Sequence, residues 1–309
     1  VALPPEFLEL AASLRSWGRW GDDDEIGTIN LITDEVRRSA AACVQTGQAF
    51  SLALPLDTVL GIQIGVLPKR VNPVRTMTLI NEPISEELEG ARSSDDVVHM
   101  ALQAATHWDG LGHVSYGGKI WNGYDADAIT HDGATRCGIH RISSLTSRGV
   151  LLDVAAAKGV DSLDGGYAIT AEDLDLAVEH AKVEVRSGDV VLVRTGQLGH
   201  HLPRDKPGYV MSTAGLGVST PAWFRARDVA AVATDTFVFE VWPWEDERVH
   251  MPVHMLHLVE MGMTQGQNWV LDELAAACAD DGRYEFLLEA SPQPFVNGVG
   301  SPVNPVAVK

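Results

Sequence analysis

Three short, almost wholly apolar runs constrain this chain most. Val150-Leu151-Leu152-Asp153-Val154 follows a glycine, Val190–Val193 follows the turn Ser187-Gly188-Asp189, and Val229–Thr234 is apolar up to its last residue. Runs of this length, rich in valine and bounded by turn residues, read as buried strands. Phe50–Leu56, Val74–Leu79 and Tyr284–Leu288 add further strand candidates.

Helical segments fall between them. Thr33-Asp34-Glu35 opens a helix expected to run through Val44 and stop near Gly47. Thr170-Ala171-Glu172-Asp173 has the form of a capped helix start with an acidic first turn, leading to Val183. Leu271–Ala279 and His254–Gly262 complete the helical set, and residues 296–305 read as a Gly/Pro/Asn loop. Asp22-Asp23-Asp24-Glu25 suits a solvated first turn of a helix, where acids complement the dipole. Strands and helices do not alternate in the strict rhythm of a doubly wound sheet, and no G-x-G-x-x-G or P-loop is present. The expectation is a mixed, β-rich α/β fold.

The chain has 309 residues, 45% of them hydrophobic, and a formal net charge of -19. That charge disfavours nucleic acid and anionic membranes as partners. No apolar run approaches membrane-spanning length, and Cys43, Cys137 and Cys278 lack any C-x-x-C spacing. A cytoplasmic protein without disulfides is expected.

The chemistry concentrates in Thr106-His107-Trp108-Asp109-Gly110-Leu111-Gly112-His113. In an extended segment residues two apart share a face, so His107 and Asp109 present a nitrogen and an oxygen together while Trp108 points away into packing. Gly110-Leu111-Gly112 lets the chain turn and return His113 toward them. Gln103 adds a neutral oxygen if the segment curls. Such a set suits one divalent ion, manganese or zinc. The same spacing also suits an ordinary buried His–Asp hydrogen bond. A second constellation, His250, His254 and His257, precedes Gly266-Gln267-Asn268, with His254 and His257 on one face of an expected α-helix. Trp108, Trp121 and Arg75 are candidate substrate contacts, although packing suits the tryptophans equally. Arg70 and Arg75 flank a loop containing Pro73 and could hold a substrate carboxylate.

The run Gln103 to His113 resembles the H-x-G-T-H-x-D-x-P-x-H stretch of the cyclase family of metal-dependent hydrolases, to which bacterial kynurenine formamidase belongs. Thr106, His107, Asp109 and His113 match in register, whereas Gln103 replaces the first histidine and Leu111 the proline. Trp17–Gly21, Asp24–Leu31, Gly149–Asp153, Gly188–Gly196, Asp280–Phe286 and Gly300–Pro305 extend the similarity to the family's longer members. His254 matches the family's distal histidine, and Gln267 stands at its later glutamate. The resemblance implies a single domain over 1–309 of the swivelling β/β/α type, an N-terminal extension of about 1–48 packed on it, and a homodimer or homotetramer. It implies metal ligands at His107, Asp109, Gln103, His254 and Gln267, with His113 as the base. The reaction expected is cleavage of the C–N bond of a small cyclic or aryl amide by metal-activated water. A dehydratase, a cyclase, a lactonase and a catalytically silent small-molecule binder remain as alternatives.

Overall fold

A computed structural model describes residues 2–87 and 90–309. The apolar runs form the middle of a nine-stranded mixed sheet. Its order is Ala49–Ser51, Val306–Val308, Glu285–Glu289, Thr146–Asp153, Val190–Arg194, Ala231–Thr234, Thr264–Gln267, His107–Asp109 and Gly300–Pro302. Thr146–Asp153, Val190–Arg194, Ala231–Thr234 and Thr264–Gln267 run parallel, and the flanking strands are antiparallel.

Successive side chains of the central strands enter opposite cores, as the pleat requires. Val150, Leu152, Val191 and Val193 pack on one face with Phe7, Leu14, Leu174, Phe224 and Leu256. Leu151, Val190 and Leu192 pack on the other with Ile29, Trp269, Leu274 and Phe286. This double burial explains why the strands lack polar alternation. The first 48 residues enter both cores, through Phe7, Ala11 and Leu14 on one side and Ile29 and Ile32 on the other.

Helix Ala171–Ala181 starts with a full capping box, in which Asp173 N–H donates to Thr170 Oγ1 at 3.2 Å and Thr170 N–H to Asp173 Oδ2 at 3.1 Å. Helices Asp34–Ala42 and Asp272–Asp281 lie where the sequence placed them.

Four local expectations change. The strand expected over Phe50–Leu56 is confined to Ala49–Ser51. The helix expected over His254–Gly262 is a π-helical stretch, Met255–Met261. The expected C-terminal loop holds the strand Gly300–Pro302, whose edge position tolerates proline. Asp24 does not start a helix; it accepts from Gly27 N–H at 2.8 Å and Trp121 Nε1 at 2.9 Å. Among the described residues no helix is long and apolar enough to cross a membrane, and the three cysteines are free.

Candidate active site

Strand His107–Asp109 lies between Thr264–Gln267 and Gly300–Pro302, antiparallel to both. The pleat sends Trp108 into one core, where it packs edge-on against Trp269 and donates to Ala290 O at 2.7 Å. His107 and Asp109 emerge on the opposite face, both fully buried. Register places Gln267 opposite His107 and Gln265 opposite Asp109. The following turn closes with His113 N–H donating to Gly110 O at 2.9 Å. A Cβ at Gly110 would lie 3.1 Å from Val299 O, so the close neighbouring strand favours glycine there. The turn returns His113 Nε2 to 3.6 Å from Asp109 Oδ1.

Hydrogen bonding fixes the imidazole tautomers. His107 Nδ1 lies 2.7 Å from the Ala105 carbonyl, which only accepts, so Nδ1 carries the proton and Nε2 offers a lone pair. That nitrogen faces Asp109 Oδ1 at 3.4 Å, too long for a good hydrogen bond. Both atoms are buried without a hydrogen-bond partner. Two lone-pair atoms left facing each other in a dry site fit a cation between or beside them.

The other half of the cluster is internally satisfied. Gln267 Nε2 donates to Asp109 Oδ2 at 2.6 Å and lies 3.4 Å from His254 Nε2. His254 Nε2 is 3.8 Å from Asp109 Oδ2. The neutral carboxamide thus sits between His254 Nε2 and Asp109 Oδ2, and Gln265 Nε2 also donates to Asp109 Oδ2 at 3.4 Å. Among the described residues no three His, Cys, Asp or Glu side chains form a ready ligand set for a metal. The fit to an ion rests on His107 and Asp109, with carboxamide support.

Burial alone would raise the Asp109 carboxyl, but His113, His107 and His254 outweigh it and hold the group far below the usual carboxylate range. Burial pushes His113 below the ordinary imidazole value, against the upward pull of Asp109.

Sequence reading missed Glu240. This fully buried carboxylate accepts from the backbone N–H groups of Val253 and His254, each at 3.1 Å, and from His254 Nδ1. It fixes the His254 ring so that Nε2 faces Asp109. The available signal was one acid inside the apolar run Phe237–Val241. His257 does not join the site: its ring is wedged against Phe224 and Phe239 and held neutral by burial, with a pKa lowered to about 3. His250 is exposed and stacks on Trp244 at 4.3 Å.

A cavity of about 440 Å³ opens onto the cluster, bordered by His113, His254 and Gln267 and walled by Phe237, Trp242 and Trp244. A larger groove, about 560 Å³, runs along Ser51–Leu56 and Pro302–Asn304 and carries no ionisable side chain. Four expected contacts fall elsewhere. Gln103 is half-buried, borders a separate pocket beside Arg70, and packs over Gly300, whose Cβ would lie 2.5 Å from the Gln103 Nε2 atom. Trp108 is on the wrong face of the pleat. Trp121 is buried against Gly262 and bonded to Asp24. Arg75 lies on an exposed hairpin, 3.4 Å from Asp96. Arg70 does line the cavity.

The Cyclase family model matches residues 35–241, which include the His107–His113 segment. A crystal structure described as a novel cyclase is 38% identical, with a TM-score of 0.87, covering 96% of this chain and 99% of its own. Isatin hydrolase A from Labrenzia aggregata, bound to benzyl benzoate, shares 16% identity at a TM-score of 0.60, over 87% of this chain and 94% of its own. A predicted metal-dependent hydrolase from Bacillus stearothermophilus shares 15% at 0.54, over 84% and 97%. No curated protein matches the chain. The family model spans most of the chain, including the strand and turn that carry His107, Asp109 and His113, and a relative aligned along nearly its full length shares the fold: this chain belongs to the Cyclase family.

Proposed function

We propose that this chain is a metal-assisted hydrolase of a small cyclic or aryl amide, of the lactam, formamide or imide type. One observation carries the reading: His107 Nε2 and Asp109 Oδ1 are buried, unpartnered and 3.4 Å apart, in the cluster whose His113, His254 and Gln267 border an apolar cavity. The hydrolase names of distant structural relatives agree with it. A manganese or zinc ion, when bound, supplies Lewis acidity that makes water a stronger acid. His107 and Asp109 would hold it, and Gln267 would fix the second Asp109 oxygen. His113 would take a proton from the attacking water and return it to the leaving nitrogen. Phe237, Trp242 and Trp244 shelter the reacting carbonyl from bulk solvent.

The Gln267 carboxamide also supports a second reading, a metal-free small-molecule binder, because it satisfies half the cluster with no ion. The test is metal analysis together with assays on formanilide, lactams and imides after addition of manganese or zinc. The hydrolase reading expects metal uptake, C–N cleavage, and a loss of about 10²–10⁴-fold in kcat for His113→Ala. No uptake and no cleavage would leave the binder.

We also propose a homo-oligomer. Among the described residues, strands Val74–Pro83 and Arg92–His99 pair only with each other, and they expose apolar side chains, including Met77, Ile80, Val97 and Val98. A free two-stranded ribbon is marginal in water, and a second copy of this chain would cover it.

A further inference from the structure

Arg70 lines the same cavity as His113 and His254, and among the described residues nothing pairs with its side chain. Its backbone N–H donates to Leu67 O at 2.9 Å. The guanidinium itself is half-buried, feels the pull of the Asp109 carboxylate, and among the described residues has no hydrogen bond or ion pair. Other sheltered arginines are treated differently. Arg148 bonds Asp189, Glu285 and the Glu184 carbonyl. Arg194 is shared between Asp153 and Asp272. Leaving a sheltered guanidinium unpaired costs free energy, which a ligand anion recovers.

The surroundings narrow the ligand. Among the described residues, Arg70 is the one permanent cation lining the cavity. Trp244 also lines it, stacked on His250. Leu67, Val210, Phe237 and Trp242 supply an apolar wall. With a net charge of -19, the overall field of the chain repels anions, so any anion selectivity must come from a local group.

We propose that Arg70 binds a substrate carboxylate, so that the substrate is an apolar amide bearing an acid group. That the substrate is an amide rests on the hydrolase function proposed above; the anion site rests on the cavity alone. Arg70 is a specificity residue, not a proton-transfer residue.

Benzoate and benzamide share a ring and differ in charge, which makes them suitable probes. Their binding is read by tryptophan fluorescence and titration calorimetry, with and without added manganese. The wild type is expected to prefer benzoate by about tenfold or more, because a hydrogen bond to a charged group is worth that much. Arg70→Met should erase the preference and Arg70→Lys should keep part of it. Methionine removes no existing pair, and the wild-type comparison stands even if one variant misfolds. Equal binding of the two probes, no binding of benzoate, or a benzoate preference that survives Arg70→Met would overturn the proposal. Hydrolysis of N-formylanthranilate and formanilide separates the two claims. Formanilide turnover without benzoate preference retains the hydrolase and removes the anion site. Arg70-dependent benzoate binding with neither amide cleaved retains the anion site and removes the hydrolase.

Discussion

Gln267 gives the cluster its electrostatic character with one NH₂ group. It donates to Asp109 Oδ2 and lies beside the lone pair of His254 Nε2. Glutamate at this position would lose that donor and set a second buried carboxylate 2.6 Å from the first. For Gln267→Glu without metal we expect a stability loss of about 2–4 kcal/mol and a fall in melting temperature of roughly 5–10 °C. Added manganese or zinc should restore it and bind more tightly than to wild type. Thermal scans with and without metal check this; an unchanged melting temperature in the metal-free variant contradicts the donor role. At this scale, local residues were the legible ones. Period-two alternation and a Gly-x-Gly turn place His107, Asp109 and His113 together, because both act within one short segment. Glu240 was not legible as a site residue, since nothing in local spacing brings residue 240 to 254; of the two arginines suggested for a substrate carboxylate, Arg70 lines the cavity and Arg75 does not. Trp108 shows the same rule from the other side: alternation sends it into packing, as the pleat demands.

The segment Pro252–Met261 decides which histidine reaches the cavity. An α-helix would put His254 and His257 on one face. The π-helical turn uses i→i+5 bonds and rotates the chain less per residue, so His257 swings into the Phe224–Phe239 core while His254 faces Asp109. Periodicity detected a helical segment but not its pitch, because pitch is set by packing. Glu240 anchors the start of this segment through two backbone N–H groups and the His254 ring. Glu240→Gln forces an amide N–H against a donor and frees the ring. We expect a loss of about 1–3 kcal/mol in chemical denaturation and metal binding weakened by about 10–100-fold. Unchanged metal affinity would mean that His254 needs no orientation by Glu240.

For the molecule as a whole, the hairpin of Val74–Pro83 and Arg92–His99 stands apart from an otherwise well-covered sheet. Its first strand was expected over Val74–Leu79, but its partner Arg92–His99 was not, because RSSDDVVH lacks an alternating apolar pattern, and a strand pattern does not say which sheet receives it. Val97→Asp with Val98→Asp places like charges on the exposed ribbon. Light scattering should show the wild type as a dimer or tetramer and this variant as a monomer, with the melting curve of the core little changed. A wild type that is monomeric at tens of micromolar contradicts the oligomer.

The pairing of His107–Asp109 with later strands carries a kinetic consequence. Asp109 meets Gln265 across 156 residues of sequence, and Gly300 closes the other side later still. Loop-closure entropy is spent before such contacts return anything, so pairings of this kind form slowly. During synthesis the strand emerges long before either neighbour, its edges open and its histidine and aspartate wet. The dry, unpaired couple of His107 and Asp109 therefore comes into being only at the end of folding. A chain that stalls halfway has both side chains but no site to misuse them.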